Sequence, residues 1–404
     1  MKKISILALC LVAGLGATAQ KSVVKEAEKA MKGNKPFTEV VTIITPAFSD
    51  PTTEKLAETY YIPGKAGFNQ YNDMLGKRSL GQDVDTKVMA EALIGGYGYF
   101  MKALPLDSLP NEKGKISPKY SKKILSEIAG HMTDFSNAAV DMWNNKDYQG
   151  AYHSWGIYLD IAKDPRYNKM FAAVPDSVMS NISYNQALAA WQAEDYPAAI
   201  KSFNVARKYG YNGKQLFEYG IAVASNAKDF DAVLDFAQAG NKLFGKEDPQ
   251  FLNHIINYYL QTEKYEDALS YLDNGISEDP SNAQYYALRG IIYDNKKEAV
   301  KARVDYEKAL QLDPNNGLAL FYEGRSIASE AGAQQDAYDK ADYEKFKKEN
   351  IDPKFREAVT FLEKAYEVDP TNRAEALKVL EILYYNLNDE NGLNSVKDRK
   401  ALLD

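Results

Sequence analysis

Three histidines, His131, His153 and His254, are the side chains of this 404-residue chain best suited to hold a metal or carry a proton. A zinc protease places two histidines and a glutamate on one helix in the pattern HExxH. Each histidine here stands alone, with no second ligand at metal-binding spacing. A lone helical histidine is usually a surface or core residue. We therefore predict neither a metal site nor a cofactor.

Three short motifs resemble phosphate or calcium loops, and each lacks a residue that the chemistry needs. Gly95-Gly96-Tyr97-Gly98 has no third glycine, Gly213-Lys214 has no glycine five residues earlier, and the segment from Asn388 to Gly392 has no closing glutamate. We expect close helix packing at the first motif and a helix–helix turn at the last. No GxSxG nucleophile elbow is present, and acidic residues are expected on solvated faces. The sequence predicts a protein that is not an enzyme.

The first twenty residues have the pattern of a secretory leader. Lys2 and Lys3 precede an apolar run from Ile4 to Leu15, and Ala17-Thr18-Ala19 supplies the small residues of a cleavage site. We predict a signal peptide over 1–19 and a periplasmic or secreted protein. No other apolar run is long enough to span a membrane.

Cysteine usage and net charge limit the kinds of anchor, site and partner that the chain can have. The only cysteine, Cys10, follows Leu9 rather than the small residue typical of lipoprotein signals, so we predict no lipid anchor. After cleavage the chain would have no cysteine, which excludes disulfides and thiolate chemistry. The formal charge of −7 argues against nucleic acid as a partner.

From Leu252 onward the chain repeats itself every 34 residues, as Ala268 with Ala302 and Pro280 with Pro314 show. A third copy ends at Pro370, 34 residues plus an insertion of 22 beyond Pro314. Each copy contains two apolar patterns at i, i+3, i+4, i+7 spacing, which predict a pair of amphipathic helices. The Asp-Pro that closes each copy ends the second helix. One pair cannot bury its own apolar face, so the copies must stack.

The motif Tyr286-x2-Arg289-Gly290-x2-Tyr293, with Ala302-x3-Tyr306, Ala309 and Pro314, resembles the tetratricopeptide signature. The resemblance implies an all-α, right-handed superhelical solenoid of antiparallel helix pairs. It departs from the signature at Arg289, which stands where leucine is typical and puts a long, half-exposed side chain at a core position. The overall layout resembles that of exported repeat proteins of Bacteroidetes-type bacteria.

The match varies along the chain, and we divide the mature part into four segments. They are divergent helices over 20–131, degenerate repeats over 132–246, clear repeats over 249–372 with an insertion at about 329–353, and a capping repeat over 373–404. We expect one long helix from Tyr120 to Trp143. In the insertion we expect prolonged helices that project from the array.

In tetratricopeptide arrays the first helices of successive repeats line a concave groove. Carried over to this chain, the groove positions are Asn253, Asn257, Gln261, Gln284, Asn295, Phe321, Arg325 and, upstream, Tyr184, Trp191 and Phe217. Carboxamides both donate and accept hydrogen bonds, which suits them to the backbone of an extended peptide. These residues are equally explained as polar residues on a wet helix face.

Two functions of different class remain. The favoured one is a non-catalytic scaffold or adaptor of the cell envelope that binds another protein or a peptide segment. The alternative is a glycan-binding accessory protein of a nutrient-uptake system, in which Trp143, Trp155 and Trp191 would serve as sugar platforms and buried tryptophans would exclude that role. The sequence specifies neither the partner nor an oligomeric state.

Overall fold

A computed structural model describes residues 21–110 and 114–403. The predicted signal peptide over 1–19 and Cys10 lie outside the described residues. The helices form two compact units, Met1–Ala232 and Val233–Asp404. The four segments that we predicted follow the repeats rather than these units, and they stay predictions.

The first unit contains the helices α1 to α10. Their bounds are 21–32, Phe37–Ile44, Ala57–Ser79, Thr86–Asp107, Ser121–Gly130, Met132–Asn144, Tyr148–Lys163, Asp176–Gln192, Tyr196–Lys208 and Lys214–Ala227. Helix α11, Phe230–Phe244, begins in this unit and continues into the second.

The second unit contains α12 to α20. Their bounds are Gln250–Gln261, Tyr265–Glu278, Ala283–Asn295, Ala299–Leu312, Gly317–Asp336, Tyr343–Phe346, Asp352–Val368, Arg373–Asn386 and Glu390–Lys400. A π-helical turn over Lys347–Ile351 joins α17 to α18.

Consecutive helices pack as pairs, among them α3 with α4, α8 with α9 and α14 with α15. At Gly290 a Cβ atom would lie 2.4 Å from Cε1 of Tyr306, so α14 and α15 approach through bare backbone, and Ala302 on the facing side is fully buried. At Gly96 a Cβ atom would lie 2.9 Å from the Gly64 oxygen, which confirms close helix packing at the first glycine motif. The predicted all-α array of helix pairs is confirmed.

The Asp-Pro stops also act as predicted. Helices α13, α15 and α18 end immediately before Asp279, Asp313 and Asp369, each of which leaves the helical region and is followed by proline. Proline has no backbone N–H, so it cannot continue the helical hydrogen bonds beyond the aspartate.

The turn within most pairs has one conformation that the sequence pattern did not reveal. A non-glycine residue in the left-handed region stands between the two helices; these residues are Asn34, Lys146, Glu194, Lys228, Glu263, Lys297 and Asn388. At Lys297 the backbone N–H donates to the Asp294 oxygen at 3.0 Å, and the next N–H donates to the Tyr293 oxygen at 2.8 Å. This is the Schellman arrangement, which satisfies the last carbonyls of the first helix. The Asn388 segment is therefore the helix–helix turn that we expected.

Lys297→Gly is expected to raise the free energy of unfolding by about 0.5–1 kcal/mol. The lysine has φ 64°, which costs an L-residue about 1–2 kcal/mol, whereas glycine adopts it freely but loses more chain entropy on folding. Urea unfolding measures the difference. Lys308→Gly, in the interior of α15, is the matched control and should lower stability by about 1 kcal/mol. Equal losses in both variants would contradict the turn's role.

The predicted long helix from Tyr120 to Trp143 is wrong. The chain leaves helical geometry at His131 (φ −107°, ψ 12°), between α5 and α6. Ile128 on α5 and Phe135 on α6, on either side of the break, are both fully buried. The ring of His131 bridges two helices, because its Nδ1 lies 2.8 Å from the Glu127 oxygen and its Nε2 lies 2.8 Å from Oδ1 of Asn72.

The insertion only partly projects. Helix α16 is prolonged to Asp336 as predicted, but the chain then folds back, with the rings of Tyr338 and Phe346 stacked at 3.8 Å. Ile351 is fully buried in the core around α18. Lys347 pairs with Asp352 at 2.7 Å and donates to the Asn386 oxygen at the end of α19 at 2.8 Å. Apolar residues in its second half explain why it packs rather than extends.

Within residues 21–110 and 114–403, no helix combines the length and the apolar character needed to cross a membrane.

Candidate partner-binding groove

A line of hydrogen-bonded carboxamides crosses the first helices α12, α14 and α16. Gln284 Nε2 donates to Asn253 Oδ1 at 3.1 Å, and Asn316 Nδ2 donates to Gln284 Oε1 at 3.4 Å. Asn253 and Gln284 were predicted to share a face, and the structure brings them together. Asn316 was missed because it precedes α16, where its Oδ1 accepts the Ala319 N–H and caps the helix.

Four of the other predicted groove residues are exposed polar side chains of these first helices: Asn257, Gln261, Asn295 and Arg325. Asn295 Nδ2 donates to the Ile291 oxygen at 2.9 Å, one turn earlier. The guanidinium of Arg325 lies over the Tyr322 ring, 4.5 Å from its centroid, which fixes a cation at this surface.

Two predicted groove residues are core residues instead. Phe321 is 4% exposed and Phe217 is 1% exposed, so neither can contact a partner without repacking. Both side chains complete apolar surfaces between helices, which the position within a helix alone could not distinguish from a groove position.

Tyr184 and Trp191, in the first unit, are half-buried. Tyr184 stacks on Tyr211 with ring centroids 4.4 Å apart, and burial raises its pKa well above the usual range. Trp191 lies 5.2 Å from the Tyr219 ring. Their aromatic surfaces are largely occupied by neighbouring rings.

Of the three tryptophans considered as sugar platforms, one is buried. Trp155 is 4% exposed and is part of the core of the first unit. Trp143 is half-buried, packed edge-to-face on Tyr148 and tilted against Trp155. The prediction that Trp155 could stack on a sugar is therefore wrong, because its faces are covered by protein.

Arg289, the departure from the repeat signature, is held by two carboxylates. Its Nε and Nη2 donate to the two oxygens of Asp305 at 2.8 and 2.7 Å, and its Nη1 donates to Asp273 at 2.7 Å. Asp305 is only 3% exposed. These hydrogen bonds raise the pKa of Arg289 further above its usual range. A charged network thus replaces the apolar contact that leucine would make.

Several acids contradict the expectation that acidic residues lie on solvated faces, and Glu323 is the most deeply buried of them. Glu323 on α16 is 2% exposed, and burial raises its pKa to about 7, although Arg303 Nε lies 3.1 Å from its Oε1. Glu307 and Glu357 add to the rise through charge repulsion. The pattern of an amphipathic helix gave no sign of this, because Glu323 takes the place of an apolar residue on the buried face.

The three histidines have different surroundings. His254 has a pKa lowered by burial, His153 is exposed, and His131 makes the hydrogen bonds described above. Among the described residues, no group of three histidine, cysteine or acidic side chains could hold a metal ion.

Comparison with known proteins finds a family match for one segment of the chain. A family model described as tetratricopeptide repeat matches residues 255–317, which run from α12 to the start of α16. No curated protein matches the chain.

Solved structures of tetratricopeptide-repeat proteins are similar to this chain at low identity. The C-terminal part of a tetratricopeptide repeat-containing protein of Cytophaga hutchinsonii is 18% identical (TM-score 0.38), with 66% of this chain and 95% of that chain covered. A tetratricopeptide repeat protein of Bacteroides fragilis is 18% identical (TM-score 0.34), with 63% and 98% covered. YrrB, described as having an unusual peptide-binding site, is 19% identical (TM-score 0.30), with 50% and 96% covered. The segment over residues 255–317 is thus similar to tetratricopeptide repeats.

Proposed function

We propose that the protein is a non-catalytic scaffold or adaptor of the bacterial cell envelope that holds an extended segment of another protein against α12, α14 and α16. The observation that carries the proposal is the hydrogen-bonded line from Asn253 through Gln284 to Asn316. The envelope location rests on the predicted leader alone, and the choice of a protein partner rests on the repeat family and on this line.

The line has the chemistry of a peptide backbone. Each carboxamide has two N–H donors and two acceptor lone pairs, and Gln284 uses one of each within the line. The rest can pair with the alternating N–H and C=O groups of an extended segment. Asn257, Asn295 and Arg325 are exposed groove positions on the same three helices, where a bound segment would also contact them.

Recovery of a partner should depend on the side chains of Asn257, Asn295 and Arg325. The full mature chain is used as bait with crosslinking in envelope extract, beside the triple variant Asn257→Ala, Asn295→Ala and Arg325→Ala. Each lost hydrogen bond costs about 0.5–1.5 kcal/mol, so we expect at least a tenfold loss of affinity for the partner recovered.

The matched control carries Ser277→Ala and Gln311→Ala, which alter exposed residues of the second helices α13 and α15. It should recover the partner as well as the unaltered chain does. Equal recovery by the triple variant would remove this groove as the binding site.

The glycan-binding alternative gains no support from the tryptophans, because Trp155 is buried in the core.

A further inference from the structure

The second helices α11 and α13 border a cleft of about 900 Å³ whose lining no part of the proposed function uses. Clefts of about 300–1,000 Å³ are the usual size of small-molecule sites. The cleft lies wholly within the second unit, and the start of α14 completes it. Its lining includes Gln238, Asn241, Tyr271, Asn274, Asn282 and Tyr285.

Asn241 organises the polar part of this lining. Its Nδ2 donates to the Tyr271 hydroxyl at 2.9 Å, and its side chain also interacts with the Tyr285 hydroxyl. A tyrosine hydroxyl keeps its proton at neutral pH, and burial raises the pKa of both tyrosines further. One carboxamide and two phenols are thereby held together, each with further hydrogen-bonding capacity.

Gly275 sets the position of one wall. A Cβ atom there would lie 2.7 Å from Cε1 of Tyr285, so the ring rests directly against the backbone of α13. Any larger residue would push the ring into the cleft. The cavity and the glycine therefore depend on each other.

The charges around the cleft do not favour an ion. Lys242 and Lys246 are opposed by Glu247, Glu278 and Asp279 in the same lining. Hydrogen bonds from Ser281, and the nearby charge of Lys246, hold the pKa of Asp279 below its usual range. The two signs are interspersed, so no single-sign field would attract an anion or a cation.

We propose that this cleft binds a neutral, polyhydroxylated small molecule of the short-oligosaccharide class. Sugar hydroxyls donate and accept at once, as the carboxamides and phenols that line the cleft do. Tyrosine rings also bury apolar C–H surface while their hydroxyls stay hydrogen-bonded. An extended peptide would need a line of partners instead of a compact group. The proposal is independent of the groove and of the tryptophans.

The full mature chain is screened on an array of neutral and acidic oligosaccharides of two to four units, and the strongest neutral ligand is titrated by calorimetry. We expect a neutral ligand to bind, and we expect Asn241→Ala to raise its dissociation constant about tenfold or more. Tyr271→Phe keeps the ring and should raise the dissociation constant about two- to tenfold. Gln311→Ala on α15 is the control and should bind as the unaltered chain does.

Three outcomes would overturn the proposal: no neutral oligosaccharide binds, only acidic ones bind, or Tyr271→Phe leaves the dissociation constant unchanged. Tyr271→Phe removes one oxygen and keeps the packing, so it decides the question even if Asn241→Ala fails to fold. Circular dichroism on each variant establishes folding before the titration.

Discussion

Replacing Arg289 by alanine should destabilise the second unit by about 3 kcal/mol or more. The change leaves Asp305, 3% exposed, without the two hydrogen bonds that Arg289 donates to it. Removing one partner of a buried ion pair leaves an uncompensated charge, which costs about 3–5 kcal/mol. Asp273 is exposed and can be hydrated, so the loss comes from Asp305. Urea unfolding followed by circular dichroism measures the change.

A double variant separates the ion pair from simple packing. Arg289→Leu introduces the residue typical of the repeat signature but still leaves Asp305 buried without its partner. Alone it should therefore lower stability nearly as much as Arg289→Ala does. Arg289→Leu with Asp305→Ala removes both charges and should recover most of the stability, since apolar replacements of buried pairs are often neutral or better. If the double variant is as unstable as the sum of the single ones, the pair has no coupling energy and the interpretation fails.

The second large effect is a pH dependence that Glu323 imposes. Its pKa is about 7 in the folded chain and 4.5 as the reference value of a free glutamate. Between these values the folded state holds a proton that the unfolded state has released, so stability falls as pH rises through this window and is level above about 7. Each pKa unit corresponds to about 1.4 kcal/mol, which gives a loss of up to about 3 kcal/mol.

Glu323→Gln isolates this contribution, because the amide keeps the shape and stays neutral. The variant should match the unaltered chain near pH 4.5 and exceed its stability increasingly up to pH 7. Urea midpoints at pH 5, 6, 7 and 8 supply the comparison, and the exposed Glu349→Gln is the control. Other carboxylates titrate in both proteins alike, so only the difference matters. Parallel profiles for the two proteins would show that Glu323 is ionised throughout.

The elements predicted most accurately were those determined by local chemistry. The Asp-Pro pair that closes each repeat copy ends its second helix, which is why α13, α15 and α18 end where the sequence indicated. Asn253 and Gln284 were predicted to lie on one groove surface, and the hydrogen bond between their side chains brings them together.

What the sequence could not indicate depends on packing between distant residues. Phe217 and Phe321 have the helical position of groove residues, yet neighbouring helices cover them. Glu323 is buried because α16 turns that face toward α15 and α18. The cleft beside Tyr271 depends on how far apart α11 and α13 lie, which no residue in either helix encodes alone. A weak signal did exist for the shared turns, where the left-handed residue precedes Asp147, Asp195 and Asp389, each a helix cap.

The contact between Lys347 and the end of α19 bears on how the stack comes apart. In a one-dimensional stack the terminal pair has a neighbour on one side only, so it is the first expected to open. Here the opening of α19 must also break the hydrogen bond that Lys347 donates to the Asn386 carbonyl. Lys347 belongs to a segment that the buried Ile351 anchors. The extra residues thus act as a latch on the last pair. Deleting these residues to restore a regular 34-residue spacing would also remove this hydrogen bond, so the pair α19 and α20 would open more readily.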